Sequence, residues 1–321
     1  MTNRSSHLFS YASAISIRAR ASDCVMKRLA LLASLCSAAC SMPNASESQT
    51  ITSSQRPNIS TVFTIVFENE DASSVLVPAN PTFYGLAQKY AAPAHYGSST
   101  HPSLPNYIVM TSGSTNGVVN DNDPNENFRV PGTENVAAQL DASNVMWRAY
   151  MESMGAPCTM ASDGALYSAH HDPFLYYAYV AGDSARCQQH VVDFSSFEAD
   201  LGSNLYRYMW ITPNACDDMH NCEAGVADAW LAKWIPIIQA SEAYRAGGAI
   251  FILFDEGSGR GPDAYADLPV LVVSERLAET RTTTQFDHAS YLATVEDALQ
   301  LGRLSTTTTA TSLDELFQSA P

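Results

Sequence analysis

The run Thr61-Val62-Phe63-Thr64-Ile65-Val66-Phe67, followed at once by Glu68-Asn69-Glu70, decides how the chain is read. Its β-branched and aromatic residues, with no apolar/polar alternation, predict a strand buried on both faces, as in parallel sheets sheathed by helices. Residues 249–254 (AIFILF), introduced by Gly247-Gly248, form a second such run. Residues 269–273 (PVLVV) and, more weakly, 208–212 (YMWIT) add two more. Helical patterns fall between them at 83–90, 133–141, 226–241 and 291–299. Strands alternating with helices predict an α/β fold with a central, mostly parallel sheet covered on both sides, a three-layer α/β/α sandwich. No internal repeat or linker interrupts residues 57–304, so this span is read as one domain, with 305–321 as a peripheral tail.

The chain has 321 residues, of which 46% are hydrophobic and 16% charged, enough for a sizeable core and incompatible with global disorder. With 17 Lys/Arg against 33 Asp/Glu, the net charge is −16. That balance argues against a surface tracking nucleic acid or anionic lipid, which needs a basic patch. A small anionic substrate stays open, because a bound metal ion inverts the field locally.

Near the beginning, Met26-Lys27-Arg28 precedes an apolar run over 29–40 and then Ser41-Met42-Pro43-Asn44, the pattern of an export signal. Met26 then reads as the initiator, 1–25 as an upstream extension and the Ser-rich 41–56 as a flexible leader. Cys40 is a candidate for lipid attachment, the alternative being simple cleavage. The expected location is periplasmic, outer-membrane-anchored or secreted. Cys158, Cys187, Cys216 and Cys222 follow, an even number that favours two disulfides in an exported chain. Three pairings are open. The short 216–222 loop and the 158–187 pair are favoured over a structural zinc site, for which no C-x2-C spacing exists.

In parallel sheets ligands bind beyond the carboxyl ends of the strands. Glu68-Asn69-Glu70 follows the first strand, Pro213 to His220 (PNACDDMH) the weaker one and Asp255-Glu256-Gly257 the Gly-Gly strand. Three acidic or amide clusters at one rim repel one another unless protons or a cation neutralise them, which predicts an oxygen-rich metal site. Ser103, in Thr100-His101-Pro102-Ser103-Leu104-Pro105-Asn106-Tyr107, sits where Pro105 marks the first turn of a helix. A hydroxyl beside free helix N–H groups and a metal is a candidate nucleophile. Taken singly, these features have plainer readings: an N-capping serine, turn-forming acids, hydrogen-bonded histidines at 170, 171, 220 and 288. Their co-occurrence at strand ends carries the functional reading.

The chain resembles the phosphoesterase family of secreted acid phosphatases and metal-dependent phospholipases C, within the alkaline phosphatase superfamily. The resemblance rests on FENED (67–71), STHPSLPNYIVMTSG (99–113), WRAYMESM (147–154) with Cys158, HHDPFLYY (170–177), TPNACDDMHNC (212–222), FDEGSG (254–259) and DHASYLATVEDALQLGRL (287–304). It implies an alkaline phosphatase-like fold and a metal-dependent phosphoester hydrolase, foremost an exported phosphomonoesterase. A phosphodiesterase or phospholipase C is the alternative, and a cation- or glycan-binding protein the non-enzymatic one. By resemblance, Glu68, Asn69, Ser103, Asp255 and Glu256 hold a divalent metal, calcium or magnesium before zinc or iron. Ser103 is the nucleophile, and it would form a phosphoseryl intermediate. Asn69, Asn106, His171 and His220 contact substrate phosphate, and His171 or His220 assists proton transfer. Asp218, His220 and His288 form a possible second metal site, with Asp217 nearby. His-His-Asp-Pro at 170–173 and Asp-His-Ala-Ser at 287–290 depart from the family's commoner His-Asn-Pro and His-aromatic patterns.

Overall fold

A computed structural model describes residues 59–125, 130–259, 267–277 and 281–317. The expected export signal, Cys40 and the expected leader all lie outside these residues. Six strands form the main sheet: β1 (Val62–Phe67), β3 (Trp147–Met151), β4 (Val191–Asp193), β5 (Tyr208–Thr212), β6 (Ala249–Phe254) and β7 (Leu271–Val273). Their order is β4-β3-β5-β1-β6-β7. All neighbours are parallel except β6 and β7. A separate parallel pair joins β2 (Ala92–Gly97) to β8 (Arg281–Asp287).

All six residues of β1 are buried, as the absence of alternation predicts. Successive side chains point to opposite faces. On one face Phe67 and Phe254 meet Phe83 and Trp230 of helices Pro81–Lys89 and Ala224–Ala240. On the other, Trp210 packs against Tyr107 of helix Ser103–Ser112, and Phe251 against Tyr291 of helix His288–Leu299. Tyr291 Oη also lies 2.6 Å from Thr64 Oγ1, giving the hydroxyl that interrupts an apolar strand a buried partner. The expected three layers are thus formed. Among the described residues no helix is long and apolar enough to cross a membrane.

Both favoured disulfides form, Cys158–Cys187 with Cα atoms 5.5 Å apart and Cys216–Cys222 with Cα atoms 4.7 Å apart. The end of the chain corrects an expectation. Residues 305–317 are not peripheral: Leu313 and Leu316 are fully buried, and the Thr307 hydroxyl donates to Glu296 Oε2 at 2.5 Å. Gly113 ends the Ser103–Ser112 helix at φ +71°, and a Cβ there would stand 2.6 Å from Thr306 Oγ1. The threonine-rich composition that reads as a loose tail instead supplies hydroxyls to buried acceptors.

Candidate active site

Strands β5, β1 and β6 are consecutive in the sheet. Neighbouring strands stand about 4.8 Å apart, so the segments leaving their carboxyl ends crowd one rim. The Glu68 N–H donates to the Asp218 carbonyl at 2.9 Å, stitching the first loop to the second. Asn69 adopts φ 55°, a left-handed conformation that asparagine tolerates better than most residues. The resulting turn aims its backbone N–H at Asp255 Oδ1 (3.1 Å) and its side-chain amide at Glu68 Oε2 (3.0 Å). The three acidic clusters therefore do converge, through Glu68, Asp218 and Asp255, each completely buried.

The Ser103–Ser112 helix is buried along its whole length and begins with Ser103 itself, after Pro102. The serine hydroxyl donates to Glu68 Oε2 at 3.1 Å. One turn later the Tyr107 hydroxyl donates to Glu68 Oε1 at 2.5 Å. Residues four apart share a helix face, so the two hydroxyls address the two oxygens of one carboxylate. Asp121 Oδ1 accepts the Leu104 N–H at 2.9 Å and fixes the start of the helix.

His171 stacks on Tyr107, with ring planes 4° apart. Its Nδ1 is 3.2 Å from Asp218 Oδ2, while Nε2 lies 3.4 Å from Glu68 Oε1 and makes no hydrogen bond. Nδ1 bound to a carboxylate, with a bare Nε2, is how a metal-binding histidine is ordinarily held. Glu68, His171 and Asp218 each offer one ligand atom, all within 4.8 Å of one another, a buried group able to hold a metal ion. Asp255 Oδ2 is likewise buried without a hydrogen-bond partner. Buried polar atoms are nearly always paired, so two bare atoms among three carboxyl groups fit a cation.

Electrostatics point the same way. Among the described residues no lysine or arginine pairs with Glu68, Asp218 or Asp255. Burial, reinforced by Asp255 and Asp218, raises Glu68 far above the usual carboxylate range. Burial pushes Asp218 up to about 7, and burial together with Glu256 takes Asp255 to the same value. Burial also lowers His171 to about 3, keeping the ring neutral and its nitrogen available to a cation.

Other expected site residues sit differently. Asn106 has its whole amide engaged: Oδ1 accepts the N–H groups of Ser99 (3.0 Å) and Thr100 (3.1 Å). Its Nδ2 donates to the Thr100 carbonyl (2.8 Å) and to Glu256 Oε2 (3.1 Å). His220 is exposed at the rim, its Nδ1 2.9 Å from Asn221 Oδ1 and its ring 5.4 Å from that of His171. Asp217 accepts from the Asn214 side chain at 2.9 Å. Among the described residues the group able to hold an ion joins Asp218 to Glu68 and His171, while His220 meets Asp218 through its backbone N–H at 2.8 Å. His288 instead points Nε2 at the Asp255 carbonyl (2.6 Å) and receives Tyr96 Oη at Nδ1 (3.3 Å), so it braces the third loop. His171 takes the place beside Asp218. Tyr107 and His101 escaped the sequence reading. Their nearness to Ser103, at four positions after and two before, was the available signal.

A cleft of about 760 Å³ opens beside this rim, lined by Glu70, Ser74, His220, Asn221, Glu223 and Val226. The sheet and its covering helices form the fold also found in a solved alkaline phosphatase-superfamily protein. The chain superposes on such a protein from Vibrio parahaemolyticus with a TM-score of 0.56 at 8% identity, covering 80% of this chain and 70% of that one. The phosphonate monoester hydrolase of Silicibacter pomeroyi gives 0.54 at 11% identity, over 82% and 77%. The chain belongs to the Phosphoesterase family, whose model matches residues 76–302. That match contains Ser103, His171, Asp218 and Asp255, while Glu68 and Asn69 lie just ahead of it. An acid phosphatase of Aspergillus fumigatus is 28% identical over 73% of this chain and 53% of its own length. A phosphate-repressible acid phosphatase of Penicillium chrysogenum is 27% identical over 72% and 57%. The chain thus spans little more than half of these fungal relatives. A phosphatidylinositol-3-phosphatase of Mycobacterium tuberculosis is 22% identical over 83% of this chain and 86% of its own.

Proposed function

We propose that the protein is an exported, metal-dependent phosphoester hydrolase, foremost a phosphomonoesterase of the acid phosphatase kind, with Ser103 as nucleophile. The observation that carries this reading is the buried Ser103 hydroxyl 3.1 Å from Glu68, beside Asp255 Oδ2 and His171 Nε2, which are buried without hydrogen-bond partners. The acid phosphatase relatives, and the 3-phosphatase that the chain spans almost fully, support a monoester substrate. Two disulfides support export to an oxidising compartment.

In this reading Glu68, Asn69, Ser103, Asp255 and Glu256 would hold the cation, with His171 Nε2 as a further donor that Asp218 orients through Nδ1. When bound, a divalent ion polarises a phosphoryl oxygen and favours the serine alkoxide. Ser103 Oγ attacks phosphorus, the ester P–O bond breaks and the alcohol leaves, giving a phosphoseryl enzyme that water hydrolyses. Glu68 Oε2 orients the hydroxyl, and Tyr107 holds the carboxylate from its other oxygen. His171, neutral and tied to Asp218, serves better as a ligand than as a proton donor, which leaves His220 at the rim to assist the leaving alcohol.

Ser103→Ala tests the scheme. Hydrolysis of p-nitrophenyl phosphate should fall by about 10⁴-fold or more while the fold persists, as when other nucleophiles are removed. Mass spectrometry of acid-quenched wild type should find phosphate on Ser103. Near-normal turnover in the variant would exclude this residue. Faster hydrolysis of bis-p-nitrophenyl phosphate than of the monoester would favour a diesterase. Absence of any hydrolysis after metal reconstitution would favour a binding protein.

A further inference from the structure

The segment from β5 to the Ala224–Ala240 helix carries Asp218 and His220 but contains neither helix nor strand. Cys216 and Cys222, six positions apart, close its middle into a ring that encloses Asp217, Asp218, Met219, His220 and Asn221. From inside that ring Asp218 reaches in several directions. Its carbonyl accepts the Glu68 N–H at 2.9 Å, Oδ1 accepts the His220 N–H at 2.8 Å and Oδ2 stands 3.2 Å from His171 Nδ1. The backbone pays for this turn at Met219, whose φ of 84° lies in the left-handed region that such a side chain seldom enters. A residue stays there only where its surroundings over-determine it. Asn214 Oδ1 gathers the approach by accepting the Cys216 and Asp217 N–H groups, and the Ala215 carbonyl accepts the Asn221 N–H at 2.7 Å. The covalent closure of the ring is the disulfide.

We infer that Cys216 and Cys222 are a positioning pair: their bond holds the ring in which Asp218 faces His171, and so sets the direction of His171 Nε2. This inference rests on the metal-dependent reading above. A cross-link acts by removing alternative conformations of the loop it closes, and a ring this short has few left. With the bridge gone, Met219 relaxes toward ordinary backbone and the neighbouring Asp218 carboxylate loses its fixed aim. The fold does not depend on the ring, because β5 is paired on both sides by β1 and β3. The two bridges also differ in access. Cys222 is half-buried and lines the cleft at the rim, whereas Cys187 is fully buried.

The test titrates manganese(II) by calorimetry into chelator-treated wild type, the double variant Cys216→Ala/Cys222→Ala, Asp218→Asn and all three substitutions combined. Hydrogen exchange at the His220 N–H and turnover of p-nitrophenyl phosphate are followed alongside. Opening the ring should weaken manganese affinity by about 10–100-fold, the usual cost of disturbing the carboxylate behind a ligating histidine. Exchange at His220 should quicken, and excess manganese should restore most of kcat. Adding Asp218→Asn should then cost little more, because both changes act on one contact. Unchanged affinity would overturn the inference, and so would losses that add in full. The pair Cys158→Ala/Cys187→Ala opens the longer loop and should lower the melting temperature while keeping manganese affinity. An equal loss of affinity there would also overturn the inference. Should the 216/222 variant fail to fold, folded wild type is treated with a water-soluble phosphine and desalted. The S–S bond breaks, water supplies two protons to the thiols and its oxygen to the phosphine oxide, and the same loss of affinity is expected once alkylation locates the thiols at 216 and 222. If wild type binds no divalent ion, the metal reading fails, while unaltered exchange at His220 would still refute the positioning role.

Discussion

The two flanks of Ser103 are built from the same residue types and behave differently. On one side Glu68, His171 and Asp218 press together with a bare ring nitrogen and carboxyls lifted above their usual range. On the other, Glu256, Asn106 and His288 are tied to backbone and side-chain partners, leaving Asp255 Oδ2 as the bare carboxylate oxygen. The difference teaches how to read a buried acid. Donors alone do not separate the two flanks, since Glu68 accepts from Ser103, Tyr107 and Asn69. What sets Glu68 apart is a pair of buried carboxyls and a bare imidazole nitrogen beside it, which leaves charge to be answered by protons or by the proposed cation.

That comparison breaks most readily at Glu68. Glu68→Gln should nearly abolish phosphoester hydrolysis and metal binding together. Elemental analysis after gel filtration checks the metal, and content equal to that of wild type would erase the distinction between the flanks. A smaller effect is expected at Asp218, which orients His171 through Nδ1. Asp218→Asn should weaken metal affinity by about 10–100-fold, the usual cost of losing the carboxylate behind a ligating histidine. Calorimetric titration with manganese(II) measures it. An unchanged affinity would remove His171 from the donor set.

The smallest effect concerns pH. Asp218 and Asp255 sit at about 7 and Asp172 at about 8, all raised chiefly by burial. Above the ordinary carboxylate range the folded chain therefore binds protons that the unfolded chain has released. Folding stability from these groups is greatest on the acid side and is lost as pH rises through their folded values. The histidines at 170, 171 and 288 are pushed down to between about 3 and 4, and their contribution runs the other way below their ordinary value of 6.5. The clean window is thus pH 6.5 to 8. There the melting temperature of chelator-treated protein should decline with rising pH, and saturating divalent ion should flatten the profile. Differential scanning calorimetry checks both, and a rising profile without metal would contradict the assigned burial.

Much of this architecture was legible in the chain. The apolar runs at 61–67, 208–212 and 249–254 all became central strands, because a strand buried on both faces must be apolar throughout. The acids immediately after them could be named as rim residues for the same reason. The β2–β8 pair was not legible. Ala92–Gly97 (APAHYG) and Arg281–Asp287 (RTTTQFD) carry little apolar alternation and find each other across nearly 190 residues. Nor was the burial of Leu313 and Leu316, whose Thr-rich approach reads as loop until Glu296 and Thr294 receive it.

By itself the sequence determined the layered α/β plan and the rim to which Glu68, Asp218 and Asp255 belong, and it favoured, among three open pairings, the two disulfides that form. Those features follow from local runs, and local runs are written in neighbouring residues. Which histidine faces which carboxylate was decided only by the tertiary structure. His171 rather than His288 stands beside Asp218, and His101 pairs with Glu256. Strand order brings together loops separated by about 150 residues, and the direction each side chain takes there depends on what is already packed beside it.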